Sequence, residues 1–117
     1  MKSYKLGSLG EKLAVDYLKQ QGYQIISKNY RCQHGEIDII VADSEYLIFV
    51  EVKTKRNLKF GTPQEEVDWR KQERIRLVAQ HYISHHPAVE LDYRFDVISI
   101  LYHSSKQYQI THLQNVF

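Results

Sequence analysis

Three charged side chains stand inside runs otherwise built for burial. Asp38 lies within Ile37-Asp38-Ile39-Ile40-Val41, and Glu51 and Lys53 lie within Ile48-Phe49-Val50-Glu51-Val52-Lys53. Side chains alternate along a strand, so Glu36 and Asp38 are expected on one face, and Glu51 and Lys53 on one face. A hairpin between the two runs brings Asp38 and Glu51 together. A buried carboxylate that loses its partner costs about 3–5 kcal/mol, so the pair demands a salt bridge or a cation. One answer is that Lys53 neutralises an acid, or that one strand face is wet. The other is a divalent ion, because Mg²⁺ takes one or two carboxylates and completes its shell with water and phosphate oxygens. Such an ion polarises a phosphodiester and supplies hydroxide, while a nearby ammonium stabilises the charged transition state. These residue types in this pattern point to metal-assisted hydrolysis of a phosphodiester.

The elements that must position these groups read clearly. Ser8-Leu9-Gly10-Glu11 has the form of a capping box opening a helix, followed by Leu13, Ala14, Tyr17 and Leu18 at helical spacing and stopped by Gly22. Three short runs rich in Ile, Val, Tyr and Phe then follow, broken at Gln33-His34-Gly35 and Asp43-Ser44, as hairpin-linked strands should be. Gly61-Thr62-Pro63-Gln64-Glu65 offers an N-cap, a proline at the first helical position and a glutamate three residues after the cap. The helix it predicts turns Val67, Ile75, Val78, Ala79, Tyr82 and Ile83 inward and ends near His85-His86-Pro87. Two more strands follow, joined by Ser104-Ser105-Lys106. The order α-β-β-β-α-β-β predicts an α/β fold, a mixed central sheet flanked by helices on one or both faces.

At 117 residues the chain is expected to form one domain, 1–117, with a core large enough to need no staples. A lone Cys32 excludes an internal disulfide, and no apolar run approaches a membrane span. The polar start does not read as a signal peptide, so a soluble, cytoplasmic protein is expected. Net charge is only +2, but residues 53–76 hold eight of the sixteen basic residues and only four acids. That local excess suits a polyanion, although a solvated surface has the same composition.

Gly35-Glu36-Ile37-Asp38 followed by Glu51-Val52-Lys53 resembles the D…ExK core of the restriction-endonuclease-like, or PD-(D/E)XK, superfamily. The fuller set is similar to the bacterial YraN-type family, itself similar to archaeal Holliday-junction resolvases. That set comprises Gly7-x-x-Gly10-Glu11-x-x-Ala14, Asn29-Tyr30-Arg31, Phe49-Val50-Glu51-Val52-Lys53-Thr54, Gly61-x-Pro63, Lys71 with Arg74, and Arg94-Phe95-Asp96-Val97. The resemblance implies an αβββαβ core and Mg²⁺ or Mn²⁺ held by Asp38, Glu51 and the Val52 carbonyl. It also implies a catalytic or phosphate-facing Lys53 and a supporting Glu11. Its expected substrate is DNA, including branched or structured DNA, and related resolvases pair subunits, so a homodimer is consistent with it. The chain departs from the pattern at Ile37, where the superfamily motif has proline, and at Asp68-Trp69, where a small polar residue and proline are expected.

The remaining candidates are weighed residue by residue. Glu11 reads equally as the last member of the capping box or as a group facing the sheet. Lys71 falls inside the apolar arc of the second helix and Arg74 borders it, so each either snorkels outward or meets an acid or phosphate. Lys55, Arg56, Lys59, Arg70, Lys71 and Arg74 are the candidates for a nucleic-acid backbone track, whose affinity should fall with salt. The six histidines form no zinc pattern, Cys32 has no activating partner, and Asp96 should pair with a nearby Arg or Lys. The alternative to a nuclease is a module that keeps the fold and grips nucleic acid without turnover.

Overall fold

The computed structural model describes residues 3–57, 67–86 and 90–117. Within them the order is α1 (Ser3–Gln20), β1 (Gln24–Cys32), β2 (Gly35–Ala42), β3 (Tyr46–Lys55), α2 (Trp69–His85), β4 (Asp92–Ser104) and β5 (Gln107–Leu113). The five strands form one mixed sheet in the order β1-β2-β3-β4-β5. Neighbours are antiparallel except β3 and β4, which run parallel. A parallel pair cannot be closed by a hairpin, and the segment between β3 and β4 contains α2.

One helix covers each face. α1 packs Ala14, Val15 and Leu18 against Ile39, Val41, Ile48, Val50, Ile98 and Ile100. α2 packs Ile75, Val78, Ala79 and Tyr82 against Ile37, Ile40, Leu47, Phe49 and Val97. β3 is therefore buried on both sides from Leu47 to Val52, and a charge within it is held in a largely apolar layer. None of the described helices is long and apolar enough to cross a membrane.

α1 starts a full turn before the expected point, so Ser8 lies inside the helix and forms no capping box with Glu11. Leu6 and Leu9 pack on the α1-side core, and that tertiary burial carries the helix upstream of the local cap signal. The stop at Gly22 is as expected. Its φ of 94° is left-handed, and the Gly22 and Tyr23 amides donate to the Lys19 and Leu18 carbonyls, a Schellman closure.

The Thr62-Pro63 helix start and Lys59 lie outside the described residues. α2 as described is capped by Asp68, whose carboxylate accepts from the Lys71 amide at 3.0 Å. Val67, expected on the helix, is buried just ahead of it. Asp68 and Trp69 thus fill an N-cap and a first helical position, the two places where a small polar residue and proline serve the same purpose. The departure at these positions leaves the cap chemistry intact.

Gly10 marks the closest approach of α1 to the sheet, since a Cβ there would overlap the Thr54 side chain. Gly10→Ala is expected to push α1 off β3 at a cost of about 1–3 kcal/mol, read as a lowered denaturation midpoint with an unchanged slope.

Candidate active site

The β2–β3 ladder runs from Ala42↔Leu47 to Ile39↔Val50 and then stops. The next pair in that register is Asp38 opposite Glu51, so the two acids face each other where the strands part. Instead of a backbone bond, the Asp38 carboxylate bridges the gap, accepting from the Val52 amide at 2.8 Å. A residue's N–H and C=O project to the same edge of its strand, so the Val52 carbonyl is directed to the side where β2 has ended.

Strict alternation fails at this point. Ile37 packs into the α2-side core and Ile39 into the α1-side core, although they are two residues apart. Across the β1–β2 ladder, Lys28↔Ile39 and Tyr30↔Ile37 bracket Asn29, which has a left-handed φ of 53°. The irregularity turns Asp38 into the seam between the two faces, where it borders a cleft on each side. One cleft, about 340 Å³, lies on the α2 side with Glu36, Glu51, Lys71 and Arg74. The other, about 360 Å³, lies on the α1 side with Glu11 and Asn29. A larger cleft of about 950 Å³ is lined by Ile26, Leu47, Tyr82, Leu91 and Tyr93 with Asp43 and Glu90 but by no lysine or arginine, so size does not select the site.

Glu51 is only 8% exposed. Burial, then the neighbouring Asp38 charge, pushes its pKa up to about 7 even though Lys71 acts the other way. The cation that meets it is Lys71, with Nζ 3.2 Å from Oε1. Lys71 is therefore half-buried against an acid rather than snorkelled to solvent. Its pKa is raised: burial alone would lower it, but Lys53 and Glu51 outweigh that. Lys53 lies on the same face, and its amine is held below the usual lysine range by burial and by Lys71. Removing the cation in Lys71→Met should raise the Glu51 pKa further, above 7, in a carboxylate-resolved NMR titration.

Glu11 approaches Asp38 from the α1 side. Burial, then Asp38, raises its pKa, while the Asn29 amide, donating to it at 3.2 Å, works against that rise. Glu11 thus faces the sheet beside Asp38 and forms no cap with Ser8. Asn29, which stands with Tyr30 and Arg31 in the resemblance but is given no role there, is a positioning residue, and its signal is an asparagine inside a strand run, a residue that tolerates left-handed backbone.

Among the basic candidates, Arg74 is exposed and lines the α2-side cleft. Arg70 is exposed and stacks over the Trp69 ring at 5.5 Å. Lys55 ends β3 and Arg56 follows it, half-buried and exposed respectively. Asp96 is fully buried and paired as expected with Arg94, two bonds of 2.9 Å, but His112 joins it at 2.7 Å as an unforeseen third member.

Among the described residues no group of three or more His, Cys, Asp or Glu is placed to hold a metal ion by itself. The donor set is two carboxylates and one backbone carbonyl. That all-oxygen set fits Mg²⁺ or Mn²⁺, which leave positions to water and substrate phosphate, better than zinc, whose sites are built mainly from His and Cys.

Residues 10–100 match the family described as Uncharacterised protein family UPF0102. A UPF0102 protein of Alkaliphilus oremlandii is 47% identical over 115 residues, covering 97% of both chains. One of Alkaliphilus metalliredigens is 43% identical over 98% of this chain and 99% of its own. One of Rhodococcus opacus is 44% identical over 96% of this chain and 95% of its own. With similarity at this level along nearly the whole length, the chain belongs to the UPF0102 family.

Proposed function

We propose that this protein is a Mg²⁺- or Mn²⁺-dependent nuclease of the PD-(D/E)XK kind, acting on DNA, with branched or structured DNA as the favoured class. The observation that carries the reading is the pair Asp38 and Glu51, facing each other at a strand parting with only a proton or a cation to reconcile them. Two lysines answer the two carboxylates, Lys71 in contact and Lys53 nearby, yet burial and Asp38 still hold the Glu51 pKa up to about 7.

Asp38, Glu51 and the Val52 carbonyl would hold the ion, which when bound supplies a Lewis acid for the phosphodiester and an activated water. Lys53, on the Glu51 face, is placed to meet the negative charge that builds on the phosphate. Lys71 holds Glu51 in place, and Glu11, kept by Asn29, borders Asp38 from the other cleft. Lys55, Arg56, Lys59, Arg70 and Arg74 supply the backbone track.

The test supplies Mn²⁺ with branched, nicked, single-stranded and duplex DNA. Cleavage that requires the ion and disappears in Asp38→Ala supports the reading. Cleavage that survives both Asp38→Ala and Glu51→Ala overturns it. Salt-sensitive DNA binding with no ion uptake by calorimetry favours a binding module instead.

A further inference from the structure

Arg74, His81 and His85 are separated by seven and four residues, which at 100° per residue sets them on one flank of α2. Arg74 lines the Glu51 cleft, and so does His34 from the β1–β2 turn. Further along the same flank, the His81 and His85 rings stack with centroids 4.1 Å apart. His81 engages Tyr30 Oη through Nδ1 at 2.6 Å, and His85 Nδ1 donates to the His81 carbonyl at 2.8 Å. Both rings therefore spend Nδ1 inside the protein and keep Nε2 for an outside partner, among the described residues.

We propose that His81 and His85, with His34 facing them from the turn, form a second phosphate-binding station for the nucleic-acid strand whose scissile phosphate enters the carboxylate cleft. The proposal rests on the nuclease reading and extends it to the path and pH dependence of the substrate. Arg74 and His81 are about 10 Å apart along the helix axis at 1.5 Å per residue, within reach of neighbouring phosphates on one strand.

Among the described residues no carboxylate pairs with His81 or His85. The groups that face the two rings are Tyr30 from β1, His34 with Cys32 and Gln33 from the turn, and Ser84 and His86 from α2. The carboxylate of that turn, Glu36, is engaged by Arg31 at 3.5 Å. Burial, then His85, His34 and His86, keeps the His81 pKa below its ordinary value. A phosphate between the Nε2 atoms would reverse that repulsion, so the strand should bind with proton uptake and more tightly as pH falls.

The experiment uses the full chain carrying Glu51→Gln, which stops cleavage and removes the raised carboxylate of the neighbouring cleft from the pH profile. Anisotropy is measured with tetramethylrhodamine-labelled single-stranded dT of twelve nucleotides, in which neither bases nor label titrate between pH 6 and 8. The twelve-mer should bind about tenfold more tightly at pH 6 than at pH 8, and H81Q/H85Q should reduce that ratio to about twofold or less. His85→Gln alone, which leaves the Tyr30 bond untouched, should give an intermediate ratio. The station is overturned if H81Q/H85Q keeps the full pH dependence, or if the twelve-mer does not bind at any pH. Either result leaves the carboxylate reading standing, because the cleavage assay tests that by itself.

Discussion

Glu51→Gln is expected to abolish ion-dependent cleavage, by about a thousandfold or more, while stabilising the metal-free protein above pH 7. The two effects have opposite signs for one reason. In the folded chain without an ion, Glu51 binds its proton up to about pH 7, whereas in the unfolded chain it releases it near 4.5. Between those values the folded state holds more protons, so stability falls as pH rises through that window and stays low above it. The size is about 1–3 kcal/mol, since loss of the Lys71 partner offsets part of the gain. Thermal melts in chelator at pH 5 and pH 8 measure it. The variant should melt above the parent at pH 8 and close to it at pH 5. Mn²⁺ should then raise the melting point of the parent at pH 8 and leave the variant where it was. A variant less stable than the parent at pH 8 would mean that Glu51 is a structural partner of Lys71, and the nuclease reading would lose its main support.

Asp96→Ala should be the most destabilising single change among the polar residues, without the gain seen at Glu51. Its carboxylate accepts from Arg94, from the Asn115 amide at 2.9 Å and from His112, and Arg94 also reaches Tyr23 Oη at 3.0 Å. Truncation leaves Arg94 buried without its anion, a loss of about 3–5 kcal/mol, and unties the segment after β5. The melting point should fall by at least about 10 °C for a domain of this size. The pH dependence runs opposite to that of Glu51. Burial works to raise the Asp96 pKa, but His112 and Arg94 outweigh it and hold it below 3.8. Its contribution is therefore full above the unfolded carboxylate range and is lost only as pH falls through the lowered folded value. Parent and variant should converge in stability in strong acid. None of these partners belongs to the Asp38–Glu51 cleft, so a variant that still folds at low temperature should retain ion uptake.

The chemistry-bearing acids were legible because they violate the pattern around them. Asp38 and Glu51 interrupt runs that one-dimensional hydrophobicity assigns to buried strands, and hairpin order alone makes them neighbours. Arg94 and Asp96, two apart on a strand, share a face and could be paired from spacing. His112 could not, because its contact with Asp96 depends on the β4–β5 register, which fixes Ile98 opposite His112. Lys71 was visible as a cation on an apolar arc, but whether it met an acid or snorkelled out depended on the sheet beneath it.

Element order, strand runs and the Gly22 stop are local properties, set by periodicity and backbone conformational freedom over a few residues, and the sequence by itself determined them. The α1 start, the helix on each face and the seam at Asn29 and Asp38 were decided only by tertiary structure. Each depends on free energy from contacts between residues far apart in the chain: Leu6 and Leu9 burying against the sheet, or a ladder ending one pair early so that Asp38 takes the Val52 amide. A sequence window contains no term for those contacts, and it is they that turn two acids on separate strands into one site.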